Sequence, residues 1–288
     1  MQQRAEEETG SDKAFRIREG YDRVPEFVAS KVREAGGRIE LLRPVEKVEW
    51  ERGRVQVSAR DGGELAQYTA EQAVVTVPLG VLQQLGVLFE PVPSTLIAAN
   101  QLAMGYVRRF SLLFHERWWA EHGTINLPQM GFLFAQDSMP PVWWTKHPDE
   151  APVLTGWIGG PRSAAFDQFT REQIGDAACQ ELARIFSLSL EYLRGQLICC
   201  ATHDWQTDPL SCGAYSYVPA RGLDAVLKMA TPVQETLYFA GEHTDLTGHW
   251  GTVHAAMRSG IRAAKQVLAS NRTGLSGQST VVPFRSAG

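Results

Sequence analysis

The sequence predicts a mixed α/β protein with α+β character, divided into one or two domains. Three observations carry this. Two stretches repeat apolar residues at the helical period, Tyr21–Ala35 and Arg171–Phe186. Period-2 stretches from Val45 to Thr69 read as a small antiparallel meander. Near the C-terminus a short strand, a glycine, a polar loop and a helix follow in that order. These periods separate helix from strand because side chains recur on one face every 3.6 or every 2 residues.

Residues 1–13 are polar and read as a frayed arm. In Tyr21–Ala35, Val24, Phe27, Val28 and Val32 share a face, and Gly36-Gly37 ends the helix. Arg38–Leu42 reads as a short strand. Val45–Trp50, Arg54–Arg60 and Ala66–Thr69 alternate, with Gly53 and Asp61-Gly62-Gly63 as turns. Ala73–Val77 is continuously apolar, the pattern of a strand buried on both faces. Arg109–Phe114 and Val153–Ile158 read as strands. Arg171–Phe186 carries Ile174, Ala177, Ala178, Leu182 and Ile185 on one stripe. Trp118, Trp119, Trp143, Trp144, Trp157 and Trp205 crowd the middle of the chain, which suits either a core or a lined pocket. Leu237–Ala240 reads as a strand ending at Gly241. Thr252–Leu268 reads as a helix with Val253, Ala256, Met257, Gly260, Ile261 and Ala264 on its apolar side. Asn271–Gly288 is a loose tail rich in Gly, Ser and Thr.

Composition excludes several classes. The chain has 288 residues and is 44% hydrophobic, enough for a sizeable core. Its net charge of −4 argues against nucleic-acid binding through bulk positive charge. No apolar run approaches the roughly 20 residues of a membrane span, and the acidic start lacks a secretory signal. Cys179, Cys199, Cys200 and Cys212 form no disulfide framework, so a reduced cytoplasmic setting is expected.

Candidate site residues cluster late in the chain. Gly251-Thr252-Val253-His254 starts a helix, where free N–H groups and the dipole favour an anionic ligand. An ordinary helix start fits the same residues. Glu242, His243, Asp245, His249 and His254 fall within 13 residues but match no standard zinc spacing, so no metal is expected. Trp205 and Tyr215 flank a turn-rich run and fit either a wall against a planar cofactor or core. There is no G-x-S-x-G elbow, no G-x-G-x-x-G and no P-loop.

Together these segments resemble the flavin-containing amine oxidases: the monoamine oxidases, polyamine oxidases and lysine-specific histone demethylases. The resemblance rests on Gly20-Tyr21 with its helix and Val45, Ala73–Leu82, Met104–Trp119, Trp205–Val218, and Tyr238–Thr244 with Gly251–Ala256 and Arg258-Ser259-Gly260. It implies a partial two-domain FAD-linked fold: an incomplete FAD domain from residues 14–80 and 230–270, and a mixed-sheet substrate domain from residues 81–229. It implies noncovalent FAD, since Ala214 stands where the monoamine oxidases carry their flavin-linking Cys.

The resemblance also assigns roles. Glu242 and Gly241 would contact the ribityl–pyrophosphate region, and Gly251, Thr252 and Val253 the flavin ring. Val45 would touch the adenine end, with Thr76 and Pro78 also in the cofactor site. Trp205 and Tyr215 would wall the substrate side. The implied reaction oxidises an amine C–N bond by hydride transfer, giving an imine and, with O2, H2O2. Polyamines, monoamines, amino acids and peptide lysines are all substrate classes on this scaffold. Two departures stand out. Arg109 occupies the position of a water-holding Lys, and Arg is not its equivalent; a structural ion-pair role fits as well. The dinucleotide-binding unit with G-x-G-x-x-G is absent. The expectation is therefore a truncated or split amine oxidase, with a second chain supplying that unit. A noncatalytic remnant and another flavin oxidoreductase, such as a monooxygenase or desaturase, are the alternatives.

Overall fold

The computed structural model describes Ile17, residues 19–122 and residues 127–273. The arm expected at residues 1–13 lies outside these residues. So does the tail beyond Thr273; Asn271–Thr273 continue the last helix. The described residues fall into two compact units. One runs up to Val45 and includes Ala59–Ala66; the other holds Glu46–Ser58 and everything from Gln67 on.

In the first unit, Arg23–Glu34 is helical, and Gly37 N–H closes its end on the Val32 carbonyl at 2.8 Å. None of its residues is buried, and Phe27, Val28 and Val32 are exposed. Residues 38–42 form no strand, contrary to the short strand read there. Leu41 and Leu42 are exposed and Leu42 turns to a positive φ of 59°, so no ladder can run through it.

The meander is present. Strands β1 (Val45–Glu51), β2 (Arg54–Asp61) and β3 (Glu64–Ala70) join through two-residue turns. With β5 (Leu88–Glu90) they form a sheet ordered β3-β2-β1-β5, in which β1 and β5 run parallel. Between β3 and β5 lies β4 (Ala73–Val75), shorter than the five-residue apolar run and not buried on both faces. Val74 is 44% exposed. β4 lies parallel to β13 (Leu237–Phe239) in a sheet of two strands, so one edge also has no neighbour among the described residues.

The core of the second unit is a five-stranded antiparallel sheet. After the short β6 (Ala103–Gly105), which lies outside this sheet, its strands are β7 (Val107–Phe114), β8 (Phe132–Phe134), β9 (Val142–Thr145), β10 (Val153–Gly159) and β11 (Leu197–Thr202). The order is β11-β7-β10-β9-β8. One face presents Phe110, Leu112, Phe114, Trp143, Leu154 and Ile158 to the Arg171–Phe186 helix, which answers with Ile174, Ala178, Leu182 and Phe186. That helix starts on a capping box: Thr170 Oγ1 accepts from Gln173 N at 3.3 Å and Gln173 Oε1 accepts from Thr170 N at 2.8 Å. Trp118, Trp119 and Trp143 are core residues. Trp144 and Trp157 lie on the opposite face with Arg109, whose register partner is Trp157. The aromatic density thus divides between core and an open sheet face.

The final helix, Val253–Thr273, corrects the apolar side read from the sequence. Val253, Met257 and Ile261 are exposed, whereas Ala255, Ser259 and Ala263 are buried. Small side chains let this helix approach Tyr238 and Ala240 closely, and small residues win that face over larger apolar ones. Arg262 fixes the contact, donating to the Phe239 carbonyl at 2.7 Å and to Thr244 Oγ1 at 2.9 Å.

Leu182 is fully buried between helix and sheet. Leu182→Ala should lower unfolding free energy by about 2–5 kcal/mol through a cavity the core cannot close. Urea denaturation followed by circular dichroism checks this; a loss under about 1 kcal/mol would contradict a rigidly packed helix–sheet core.

Candidate functional site

Strand β13 leads to Gly241 at φ 150°, a conformation closed to most side chains. A Cβ there would stand 2.5 Å from His243 Cε1. Gly241 N–H donates to Ser259 Oγ at 2.9 Å, tying the turn to the last helix. This turn places Glu242. Its carboxylate accepts from the Ser216 amide at 2.9 Å, the Ser216 hydroxyl at 2.7 Å and the Gly251 amide at 2.6 Å. One side chain therefore joins the segment after β13, strand β12 (Tyr215–Tyr217) and the start of the final helix. Backbone N–H donors on a carboxylate are among the stronger hydrogen bonds in proteins.

Strand β12 pairs with β6 in antiparallel register, Tyr215 opposite Gly105. Alternation turns Ser216 toward Glu242 and Tyr215 the other way. The Tyr215 ring lies against two glycines. A Cβ on Gly251 would come within 3.1 Å of it, and one on Gly105 within 3.4 Å. Gly251 also has φ 74°. The result is a flat, partly exposed aromatic wall beside bare backbone.

Thr252 caps the helix, its hydroxyl accepting from the Ala255 amide at 3.3 Å and donating to the His249 carbonyl at 2.6 Å. The first intrahelical bond runs from the Ala256 amide to the Thr252 carbonyl. The Val253 and His254 amides precede it and have no intrahelical acceptor, leaving donors and positive potential at this end. Arg258 and Thr247 stabilise the preceding loop through Asp245. Burial alone would raise the Asp245 carboxyl, but their hydrogen bonds hold it below the ordinary range. His243 is buried under Gly241, and its Nε2 has no hydrogen-bond partner. Burial pushes the imidazole down to about 4; the Arg262 charge adds to this and Glu242 opposes it.

The structure thus brings Gly241, Glu242, Gly251, Thr252 and Tyr215 together, with Val253 exposed at the helix start. Trp205 joins through its loop: the Gly213 amide donates to its carbonyl at 2.8 Å, and the Ala214 amide donates to Gly105. Pro78 precedes the Leu79–Gln83 helix, where a Cβ on Gly80 would overlap the Ser211 and Cys212 carbonyls of that loop. Thr76 is exposed just after β4. Val45 opens β1 in the other unit.

Arg109 is exposed, its guanidinium carbon 5.9 Å from the Trp144 ring centroid. Among the described residues it forms no ion pair. Its neighbour Arg108 does, reaching Asp167 at 3.1 Å and Asp204 at 3.2 Å from the other strand face. No hydrogen bond or ring contact among the described residues ties Arg109 to Glu242. No group of three or more His, Cys, Asp or Glu side chains among them is arranged to hold a metal ion.

Sequence reasoning missed Ser216, Ser259 and Arg262. Ser216 was signalled only by its place between two tyrosines on a strand, which turns it to the face opposite theirs.

A glycine turn, a carboxylate joint, a helix start with free donors and an aromatic wall meet here, features that suit a planar, partly anionic ligand. The family model for flavin containing amine oxidoreductases matches residues 2–268, and the chain belongs to that family. It is 29% identical over 274 residues to lysine-specific histone demethylase 1 homolog 3 of Arabidopsis thaliana, covering 90% of this chain and 16% of that protein. It is 28% identical over 235 residues to polyamine oxidase 4 of Oryza sativa subsp. japonica, covering 79% of this chain and 45% of that one. The structure superimposes on wild-type putrescine oxidase bound to putrescine with a TM-score of 0.69 at 20% identity, over 84% of this chain and 52% of that one. The fold is that of a FAD-linked amine oxidase, and the chain spans between 16% and 52% of the length of these relatives.

Gly251→Ala should cost about 1–3 kcal/mol, combining a positive φ with a Cβ against the Tyr215 ring. Thermal unfolding measures it; an unchanged midpoint would contradict the tight wall. His243 supplies a second expectation. The unfolded chain takes up its proton below about 6.5, the folded chain only below about 4. Stability should therefore fall as pH drops through that window, and His243→Gln should flatten this part of the slope. Urea titrations at stepped pH read the slope directly.

Proposed function

We propose that this chain forms the flavin-ring half of an amine oxidase site and oxidises an amine C–N bond with noncovalently bound FAD. The observation that carries the reading is the Glu242 joint, which fixes the Gly251–Val253 helix start against the Tyr215 wall. The residues fit a flavin. A side chain at Gly251 would fill the space beside the ring, and the first-turn amides suit the edge where reduced flavin carries negative charge.

When bound, FAD supplies the acceptor for the hydride leaving the carbon beside nitrogen, with O2 as final oxidant and H2O2 as product. Thr252 and Val253 would line the ring, and Glu242 with Gly241 the ribityl side. Ala214 offers no thiol for a covalent link. Trp205 and Tyr215 would orient the amine and, as aromatic surfaces, favour its neutral form, which hydride loss requires. Arg109 would bring a fixed positive charge and a forked donor set to the sheet face carrying Trp144 and Trp157.

The adenosine–pyrophosphate half of FAD, for which Val45, Thr76 and Pro78 would supply flanking contacts, needs a dinucleotide-binding unit absent from this sequence. A second reading is a subunit active only with a partner carrying that unit; in its favour, β4 has one edge without a strand neighbour among the described residues. The four cysteines are unpaired. Among the described residues no helix is long and apolar enough to cross a membrane.

Glu242→Gln removes acceptor capacity from the joint. It should weaken FAD binding about tenfold or more, or about 1.4 kcal/mol, measured by flavin fluorescence quenching. Wild-type chain loaded with FAD should release H2O2 from at least one amine in a panel spanning polyamines, monoamines, amino acids and peptide lysines. Unchanged affinity in the variant would overturn the role of Glu242. Hydroxylated product in place of aldehyde or imine would overturn amine oxidation.

A further inference from the structure

The open face of the five-stranded sheet carries an arginine without a counter-charge. Arg108 and Arg109 are neighbours on β7 and turn to opposite faces of it. Arg108 is buried and reaches Asp167 at 3.1 Å and Asp204 at 3.2 Å. Arg109 is exposed, and among the described residues those carboxylates go to Arg108 and none to it. The groups around Arg109 are aromatic instead. Trp157 stands opposite it on β10, and the Trp144 ring centroid lies 5.9 Å from its guanidinium carbon. Register sets Phe132 beside Trp144 and Phe134 beside Val142, and both phenylalanines are exposed.

The same stretch of β7 adjoins the segments that carry the aromatic walls. On one side β11 ends against it, Thr202 Oγ1 donating to the Arg109 carbonyl at 2.9 Å. The chain then passes Arg108 at the Asp204 ion pair and enters the loop that presents Trp205, 43% exposed. Along its own chain β7 follows β6, where Gly105 backs the Tyr215 ring. The other ionisable groups where β11 ends, His203 and Asp208, are bonded to each other at 2.7 Å.

We propose that Arg109 is the specificity-determining residue for the amine, and that it takes the carboxylate of a substrate carrying both groups: an amino acid with an apolar body. This rests on Trp205 and Tyr215 being walls of the amine site. A guanidinium presents a planar fork that a carboxylate meets with two parallel, charge-assisted hydrogen bonds. It keeps its charge at every working pH, so the selection needs no titrating group. A polyamine brings a second ammonium, which Arg109 repels, and a plain monoamine leaves the fork unpaired. Trp144, Trp157, Phe132 and Phe134 offer apolar surface for the rest of the molecule.

Two probes that need no flavin test the anchor. Phenylpropanoate and phenylpropylamine share an apolar body and differ in the charge of the head group. Isothermal titration of the full chain should find the carboxylate bound at least about tenfold more tightly. In Arg109→Gln the preference should drop below about twofold, and Arg109→Lys should restore part of it, since the charge returns without the fork. Arg109 is exposed and unpaired among the described residues, so these variants leave the core intact. On the FAD-loaded chain, phenylalanine should exceed phenethylamine in kcat/KM, because the two differ only in the carboxylate. Arg109→Gln should raise KM for phenylalanine about tenfold and leave phenethylamine unchanged. Equal binding of the two probes, no binding of phenylpropanoate, a preference that survives Arg109→Gln, or a polyamine turned over faster than every amino acid would overturn the proposal. Failure of the flavin reading would appear as no H2O2 from any amine, with the preference between the two probes intact.

Discussion

The site depends on one carboxylate. Glu242 accepts three hydrogen bonds from two other segments of the second unit. Its position follows from backbone geometry: Gly241 must adopt φ 150° for the chain to leave β13 and present Glu242 inward. His243 fills the space a Cβ at Gly241 would need, which is why an imidazole is buried there with an unpartnered nitrogen. The helix start and the aromatic wall meet at that side chain.

The same economy of bulk recurs around it. Gly251 and Gly105 leave the Tyr215 ring flat against backbone, and Ala255, Ser259 and Ala263 let the last helix lie close to β13. The large apolar groups of that helix, Val253, Met257 and Ile261, are left exposed. Where close approach matters more than buried area, small residues take the inner face. The five-stranded sheet works the other way. It buries Phe110, Trp143 and Leu182 deeply, and so provides a rigid support from which β11 and the Trp205 loop depart.

These two regimes explain what the sequence disclosed. Helix Arg171–Phe186 was legible to its ends, because its stripe faces an ordinary core and Thr170 with Gln173 marks its start. The meander was legible from alternation and its glycine turns. Ala73–Val77 misled, since apolar continuity reports burial on both faces and β4 leaves Val74 exposed on one. The final helix misled in the opposite sense, because periodicity scores large apolar residues and overlooks an alanine–serine face. Glu242, Gly251 and Thr252 could be named from their motif, but their joint with Ser216 could not. It depends on β12 pairing with β6 more than a hundred residues away, which no local pattern encodes.

Hydrogen–deuterium exchange with and without saturating FAD tests the central claim most directly. The account predicts slowed exchange in peptides covering Tyr215–Tyr217 and Gly251–Ala256, where the Glu242 joint and the helix start lie. Flavin binding that leaves both peptides unchanged and protects some other part of the chain would contradict it.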